Sequence, residues 1–418
     1  MSQTTRRTLL TNAGWIATPD APGDGQTLYS INRPDADSVL LEGERIVWIG
    51  KRADCPHVPD ETLDLHGKGL TPGLIDFHAH PVFAATREAE FDLRTRGASY
   101  TEIAAAGGGI LNSVKRVGEA SEEDLVAFSR PNLDRALAHG TTTLEAKSGY
   151  GLSTENELKL LRAVRTLDDT HPLDLIPTFL GAHEYPLEYK QDHEGYIRIL
   201  TEEMIPAVSE QGLAHAADIF IETGVFSVDE GRRILSAAKQ HGLQVKVHAD
   251  QLSPLGGTKL AVELDALSAD HIEFIDDEAV EMLTGSNTVA GLLPVAAHFL
   301  RMKEDPPVRK MIDKGVVCAL ATDFNPGSAM SQSMTMALHL AVIRFRVSAE
   351  EALWMATAGS ARALRMGDRG AIAPGLLADL VVWDAAAPEI LPYHFGVNLA
   401  SLVIKRGRVV ARDGVAER

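Results

Sequence analysis

Cysteine is scarce in this 418-residue sequence, which contains only Cys55 and Cys318. Two cysteines are too few for a disulfide framework, and their separation does not match the paired spacing of a zinc–thiolate site. This scarcity favours a reducing compartment, so we expect a cytoplasmic protein. Long apolar runs are also missing, because no segment reaches the roughly eighteen residues that a membrane-spanning helix requires. The sequence therefore predicts no membrane partner.

Basic residues are outnumbered by acidic ones, with 40 Lys and Arg against 58 Asp and Glu and a formal net charge of -18 at pH 7. Nucleic-acid binding requires clustered Lys and Arg, so we do not expect a nucleic-acid partner. An acidic protein that binds an anionic substrate needs a local cation to offset its own field. An arginine close to a candidate site is therefore informative.

Apolar segments alternate with longer amphipathic ones between residues 70 and 363. This alternation is typical of a parallel α/β fold, and eight strand–helix units over this length fit a TIM (β/α)8 barrel better than an open sheet. The predicted strands are Leu70–Phe77, Thr141–Ala146, Leu173–Leu180, Asp218–Glu222, Gln244–His248, Ala266–Asp270, Thr288–Pro294 and Val316–Ala321.

The two ends of the chain, residues 1–69 and 364–418, have a different character. They contain short β-rich segments, including a predicted hairpin over Val39–Ile49 and predicted strands over Leu380–Trp383 and Leu402–Val410. Neither end has enough apolar surface to fold alone. We therefore predict that both ends combine into one small β-sandwich domain beside the barrel.

Ligand-type residues follow several of the predicted barrel strands. His78 and His80 are two residues apart at the end of the first strand, so both imidazoles project to the same face. His248 and Asp323 follow later strands, and the carboxyl ends of barrel strands meet at one face. Three imidazoles and one carboxylate suit zinc or iron and leave a position for water. We predict one Zn²⁺ or Fe³⁺ ion per chain on these four residues, with His271 either supporting the ligands or transferring protons near the bound water.

Three further side chains follow the first three strands. Arg87 has the planar guanidinium that binds a carboxylate in bidentate fashion, although a surface pair with Glu88 or Glu90 is the alternative. Tyr150 and His183 follow the second and third strands, where they either contact a substrate or only pack. In the last loop, Ser328 is a possible cap for the next helix.

The sequence resembles the imidazolonepropionase family of the amidohydrolase superfamily, and the likeness runs nearly end to end. The motifs from Lys147 to Gly151 and from Asp323 to Ser328 are the most specific to this family. The matching segments are Thr71-Pro72-Gly73-Leu74-Ile75-Asp76-Phe77-His78-Ala79-His80, Ala106-Gly107-Gly108-Gly109-Ile110, Glu145-Ala146-Lys147-Ser148-Gly149-Tyr150-Gly151-Leu152, Phe179-Leu180-Gly181-Ala182-His183, His248-Ala249-Asp250 and Ala321-Thr322-Asp323-Phe324-Asn325-Pro326-Gly327-Ser328.

The resemblance implies hydrolysis of 4-imidazolone-5-propanoate to N-formimidoyl-L-glutamate in histidine degradation, with metal-activated water attacking the ring carbonyl, and it suggests a homodimer. An anionic propionate is consistent with an arginine in an acidic protein. We assign catalytic roles to His271, His183 and Asp323. The residues expected to bind substrate are Arg87, Tyr150, His183, Gln251, Asn325, Gly327 and Ser328.

One position departs from part of the family, because Gln251 stands where some members carry Glu. Glutamine can orient a ring by hydrogen bonds but cannot exchange a proton. This counts against the nearest rival, an aminohydrolase that deaminates cytosine, guanine or a related ring and depends on that Glu. A second rival is a barrel that has lost catalysis and serves as a scaffold; the complete set of candidate ligands argues against it.

Overall fold

The computed structural model describes residues 6–23, 25–97 and 108–417. Their strands are β1 (Arg7–Thr11), β2 (Trp15–Ile16), β3 (Ser38–Glu42), β4 (Arg45–Gly50), β5 (Glu61–Asp64), β6 (Gly69–Pro72), β7 (Leu74–Asp76), β8 (Thr141–Lys147), β9 (Asp174–Ala182), β10 (Ala216–Ile219), β11 (Gln244–Val245), β12 (Val247–Ala249), β13 (Ser268–His271), β14 (Val289–Leu292), β15 (Cys318–Leu320), β16 (Leu380–Trp383), β17 (Ala400–Lys405), β18 (Arg408–Arg412) and β19 (Val415–Ala416).

The α-helices of the described residues alternate with the central strands. They are Glu88–Thr95, Ile110–Glu119, Glu122–Ala138, Thr154–Thr170, His193–Ile199, Ile205–Glu210, Val228–Gln240, Gly257–Glu263, Asp277–Leu283, Pro294–Phe299, Val308–Asp313, Met334–Phe345, Ala349–Trp354, Ser360–Ala363 and Ile390–Tyr393. None of these helices is long and apolar enough to cross a membrane.

The central strands form a ring. Strands β7 to β11 make one parallel sheet and β12 to β15 make another, with β11 and β12 as two halves of one interrupted strand. The ring continues where Ile221 N donates to His248 O over 3.1 Å, and it closes where Asp323 N donates to His78 O over 3.0 Å. The predicted TIM-type barrel is confirmed.

The first predicted strand, Leu70–Phe77, is divided at Gly73. Strand β6 pairs with β2 and β16 in a terminal sheet, and only β7 enters the barrel. Gly73 has no room for a side chain, because an added Cβ would lie 2.2 Å from Thr142 Oγ1. The prediction of a single barrel strand here was wrong, since one apolar run supplies two different sheets.

Both chain ends build the second unit, as predicted. A four-stranded sheet, β4-β3-β1-β5, faces a six-stranded sheet, β19-β18-β17-β16-β6-β2, and the predicted hairpin is β3–β4. Leu10 and Val39 from the first sheet share one apolar core with Leu380 and Leu402 from the second. Burial of this shared surface supplies the driving force that neither end has alone. The division into residues 1–69, 70–363 and 364–418 stays a prediction.

Candidate active site

A cavity of about 560 Å³ opens at the carboxyl ends of the barrel strands. This is the face on which barrels of this type carry their sites. His78 is fully buried and does not line the cavity, whereas the other predicted site residues do. Those residues are His80, Arg87, Tyr150, His183, His248, Gln251, His271, Asp323, Asn325, Gly327 and Ser328.

The four predicted metal ligands converge at the inner end of the cavity. Asp323 Oδ1 lies 3.6 Å from His78 Nε2 and 3.5 Å from His80 Nε2. The ring of His248 lies 4.5 Å from that of His78 between centroids. Potential ligand atoms of His78, His248 and His271 also lie within 4.8 Å of one another. One cation can therefore be reached from several strand ends at once.

The hydrogen bonding and the protonation of these side chains are consistent with a bound metal ion. His78 Nε2 is buried without a hydrogen-bond partner. Burial lowers the pKa values of His78 and His80 well below their ordinary value, so both rings stay neutral and can donate a lone pair. Burial also raises the pKa of Asp323, and a cation beside this carboxylate would favour its ionised form. A divalent or trivalent cation would satisfy all three groups.

Two site residues hold a left-handed backbone, with φ of 79° at His271 and 53° at Asp323. Residues other than glycine adopt this region at a cost and cluster at functional sites. The turn at Asp323 is held by its backbone hydrogen bond to His78. The fold therefore sets the direction in which both side chains leave their strands.

Arg87 pairs with one of the two glutamates considered for it, Glu90, and also lines the cavity. Its Nε and Nη2 donate to Glu90 Oε2 over 2.9 and 2.6 Å, so the ion pair anticipated as the alternative is present. Arg87 nevertheless lines the cavity. Its Nη1 lies so close to Gly327 that a Cβ added there would be 2.3 Å from it. The guanidinium is thus held beside the last loop, and its Nη1 makes no hydrogen bond to any residue that the structure describes.

Tyr150 and His183 both line the cavity. Gly149 O accepts a hydrogen bond from His183 Nδ1 over 2.9 Å, which leaves Nε2 of the ring as an acceptor. Burial lowers the pKa of His183 to about 3, so the ring is neutral. Burial raises the pKa of Tyr150, with Asp323 adding to the shift, so its phenol keeps its proton and can donate.

The loop after Asp323 is held by the side chain of Asn325. Its Oδ1 accepts from the backbone N–H groups of Gly327 and Ser328, each over 2.8 Å. Ser328 Oγ accepts from Asn325 Nδ2 over 2.8 Å, so it closes the loop. The next helix is capped by Ser333 instead, which corrects the suggested capping role of Ser328.

Several residues of the site were not predicted from the sequence. Arg94 lines the cavity and donates to Gly327 O over 3.1 Å. Its spacing of seven residues from Arg87, two turns along one helix, was the available signal. Gly109 and Ile110 of the glycine-rich segment also line the cavity. Ala106 and Gly107 of that segment lie outside the described residues.

Comparison with known proteins identifies the family of this chain. A family model described as the amidohydrolase family matches residues 93–411. The imidazolonepropionase of Geobacillus thermodenitrificans is 45% identical over 98% of this chain and 97% of its own. The imidazolonepropionase of Myxococcus xanthus is 46% identical over 91% of each chain.

Solved structures extend the agreement to the fold. A triazine hydrolase variant superposes with a TM-score of 0.76 at 18% identity, covering 98% of this chain and 96% of its own. Identity at that level supports the architecture alone, whereas the curated relatives are similar over nearly the whole sequence. This chain belongs to the imidazolonepropionase family of the metal-dependent amidohydrolases.

Proposed function

We propose that this chain hydrolyses 4-imidazolone-5-propanoate to N-formimidoyl-L-glutamate in histidine degradation, using one zinc or iron ion. The observation that carries the proposal is the convergence of His78, His80, His248 and Asp323 at the inner end of a cavity that also contains Arg87. The donor set of three imidazoles and one carboxylate accepts either metal. When bound, the ion supplies Lewis-acid chemistry that acidifies water and polarises a carbonyl oxygen.

The reaction adds water across the bond between the ring carbonyl carbon and a ring nitrogen. The oxygen joins the carbon, the carbon–nitrogen bond breaks, and the departing nitrogen takes a proton. We assign that proton transfer to His271, which lines the cavity beside His248 with a ring-centroid separation of 5.3 Å. Asp323, whose Oδ1 lies 3.6 Å from His78 Nε2 and 3.5 Å from His80 Nε2, contributes its carboxylate to the metal site.

Substrate orientation follows from the polarity of the cavity wall. Arg87 binds the propionate, because Glu90 holds its Nε and Nη2 while Nη1 has no hydrogen-bond partner among the described residues. His183 Nε2 accepts a hydrogen bond from a ring N–H, since its Nδ1 proton is committed to Gly149 O. Tyr150 and Gln251 donate to the ring oxygen or nitrogen.

The last loop completes the substrate site. Because the side chain of Asn325 is occupied in holding this loop, it contributes through the backbone shape that it imposes on Gly327 and Ser328. The absence of a side chain at Gly327 leaves room for the Arg87 guanidinium. The loop therefore supports the carboxylate end of the substrate site.

A substrate panel tests the proposal against its nearest rival. The chain should hydrolyse 4-imidazolone-5-propanoate, act much more weakly on the uncharged propanamide analogue, and release no ammonia from cytosine or guanine. Turnover of an aminated ring with no activity on the imidazolone would instead support a deaminase.

We also propose a cytoplasmic homodimer. Tyr393, Phe395 and Ile343 expose apolar surface, at 82%, 58% and 64% of their full accessibility. The ring of Phe395 stacks on that of His339 with 4.1 Å between centroids, so this exposed side chain has a fixed position. Light scattering at micromolar concentration should give twice the chain mass of 45.1 kDa; the mass of a single chain would contradict the dimer.

A further inference from the structure

A continuous series of charged side chains runs through the barrel interior behind the metal site. Its members carry formal charge but do not line the cavity, and each is at most 1% exposed. They lie on or beside strands β8, β10, β12 and β13. We call this series the buried charge chain; it consists of Glu145, Lys147, Asp218, Lys246 and Asp270.

One end of the buried charge chain contacts His78. Asp270 Oδ2 lies 2.6 Å from His78 Nδ1 and 3.4 Å from Lys246 Nζ. Lys246 Nζ also donates to Glu145 Oε2 over 2.9 Å and to Phe77 O over 2.8 Å. Lys246 therefore joins two carboxylates and holds one of them against a candidate metal ligand.

The other end contacts His248. Lys147 Nζ donates to Asp218 Oδ2 over 2.6 Å and lies 2.9 Å from Glu145 Oε2. Asp218 Oδ2 in turn lies 3.0 Å from His248 Nδ1, close enough for an ion pair although the two atoms lack the alignment of a hydrogen bond. Because both lysines share Glu145, the contacts run without a break from one imidazole to the other.

Stability alone gives a weak reason for this arrangement. A buried ion pair loses its hydration, and well-packed apolar residues of similar volume are often equally stabilising. A carboxylate beside Nδ1 of a histidine has a specific effect, because it keeps the proton on Nδ1 and leaves the Nε2 lone pair for a metal. His78 Nε2 lies 3.6 Å from Asp323 Oδ1, on the side where the other ligands converge.

We propose that the buried charge chain positions His78 and His248 as metal ligands, with Lys246 and Lys147 acting through Asp270 and Asp218. The two lysines are positioning residues, because they contact neither the cavity nor the ligand rings. The inference rests on the metal site of the proposed function but not on the identity of its substrate. Metal binding therefore tests it separately from turnover.

The test compares two buried lysines that each bridge two carboxylates. Lys246→Met removes a member of the buried charge chain. Lys405→Met is the matched control, since Lys405 is 3% exposed and its Nζ lies 2.6 Å from Asp379 Oδ2 and 2.8 Å from Asp174 Oδ2, away from the metal site. Zinc affinity is measured by competition with a chromogenic chelator, and ligand geometry by the visible spectrum of the cobalt-loaded protein.

We expect Lys246→Met to weaken zinc binding about 10- to 100-fold, the usual effect of losing a group that orients a ligand, and to change the cobalt spectrum. Lys405→Met should leave both unchanged although both variants lower the unfolding temperature. If Lys246→Met does not fold, the double variant Lys246→Met/Glu145→Gln removes one charge of each sign and provides the same test.

A folded variant with the zinc affinity and cobalt spectrum of the unmodified chain would overturn the inference, as would equal weakening by Lys405→Met. Failure of the proposed function gives a different result from failure of this inference. In that case the unmodified chain binds metal and depends on Lys246 for it, yet does not hydrolyse the imidazolone.

Discussion

At the level of single residues, the candidate metal site combines side chains that are neighbours in the sequence with others that are far apart. His78 and His80 could be placed together because a strand has a two-residue period. The charged residues behind the site could not be placed from the sequence, because Glu145 and Lys246 are in contact although 101 residues separate them. Glu145 and Lys147 are two residues apart in a strand whose residues are all buried, and only the closed barrel shows which charges they contact.

The role of Arg87 leads to a prediction about substrate affinity. Arg87→Met should raise KM roughly 10- to 100-fold with little change in kcat, since a hydrogen bond to a charged group contributes about 1.5–3 kcal/mol. Steady-state kinetics measures both constants. The control is Arg96→Met, which removes an exposed arginine from the same segment, paired with Asp92. An unchanged KM in Arg87→Met would remove Arg87 from substrate binding.

The role of His271 leads to a prediction about the chemical step. His271→Ala should lower kcat about 10²- to 10⁴-fold, the usual contribution of a general acid or base, and change KM far less. Metal content per chain should stay the same. His241→Ala, at an exposed helix end, is the control. Loss of bound metal from His271→Ala would show that His271 is a ligand, contrary to the proposed proton transfer.

At the scale of elements, predicted and observed structure agree best where one segment serves one sheet. The predicted strand Leu380–Trp383 coincides with β16, and the predicted Val39–Ile49 hairpin is β3–β4. The segment Leu70–Phe77 does not serve one sheet. Its apolar residues are compatible with both the terminal sheet, which takes β6, and the barrel, which takes β7. Steric exclusion at Gly73 marks the division, and that exclusion depends on Thr142 from another strand.

A substitution at Gly73 tests the packing at the boundary between β6 and β7. Gly73→Ala should destabilise the fold by about 1–3 kcal/mol, because the new methyl group must displace Thr142 in a fully packed region. Urea unfolding measures the change. Gly367→Ala is the control, since no heavy atom outside its immediate neighbours lies within 4 Å of the added Cβ. Equal stability of the two variants would contradict the packing argument.

At the scale of the whole molecule, an ion cluster joins the barrel to the terminal β-sandwich. Asp174, at the start of β9, accepts from Arg369 Nη1 over 2.6 Å and from Lys405 Nζ over 2.8 Å. Arg406 Nη2 donates to it over 3.1 Å. Burial alone would raise the pKa of Asp174, but Lys405 and Arg369 lower it below its ordinary value of 3.8.

This shift predicts how stability varies with pH. A carboxyl group with a lowered pKa stabilises the fold above its ordinary value of 3.8, and the contribution is lost as pH falls below it. Asp174→Asn should cost about 2 kcal/mol at pH 7, less than for a fully buried pair because Asp174 keeps some contact with water. Urea unfolding should give the same difference at pH 7 and pH 5, and a smaller one below 3.8. A difference that grows on acidification would contradict the assignment.

We propose that this chain hydrolyses 4-imidazolone-5-propanoate at a metal site formed by His78, His80, His248 and Asp323. The most direct test follows the formation of N-formimidoyl-L-glutamate from freshly generated substrate, using metal-replete protein, chelator-treated protein, and chelator-treated protein resupplied with zinc or iron. The account predicts turnover by the replete protein, loss after chelation, and recovery with about one metal equivalent per chain. No turnover by fully metal-loaded protein, or equal turnover after complete metal removal, would contradict it.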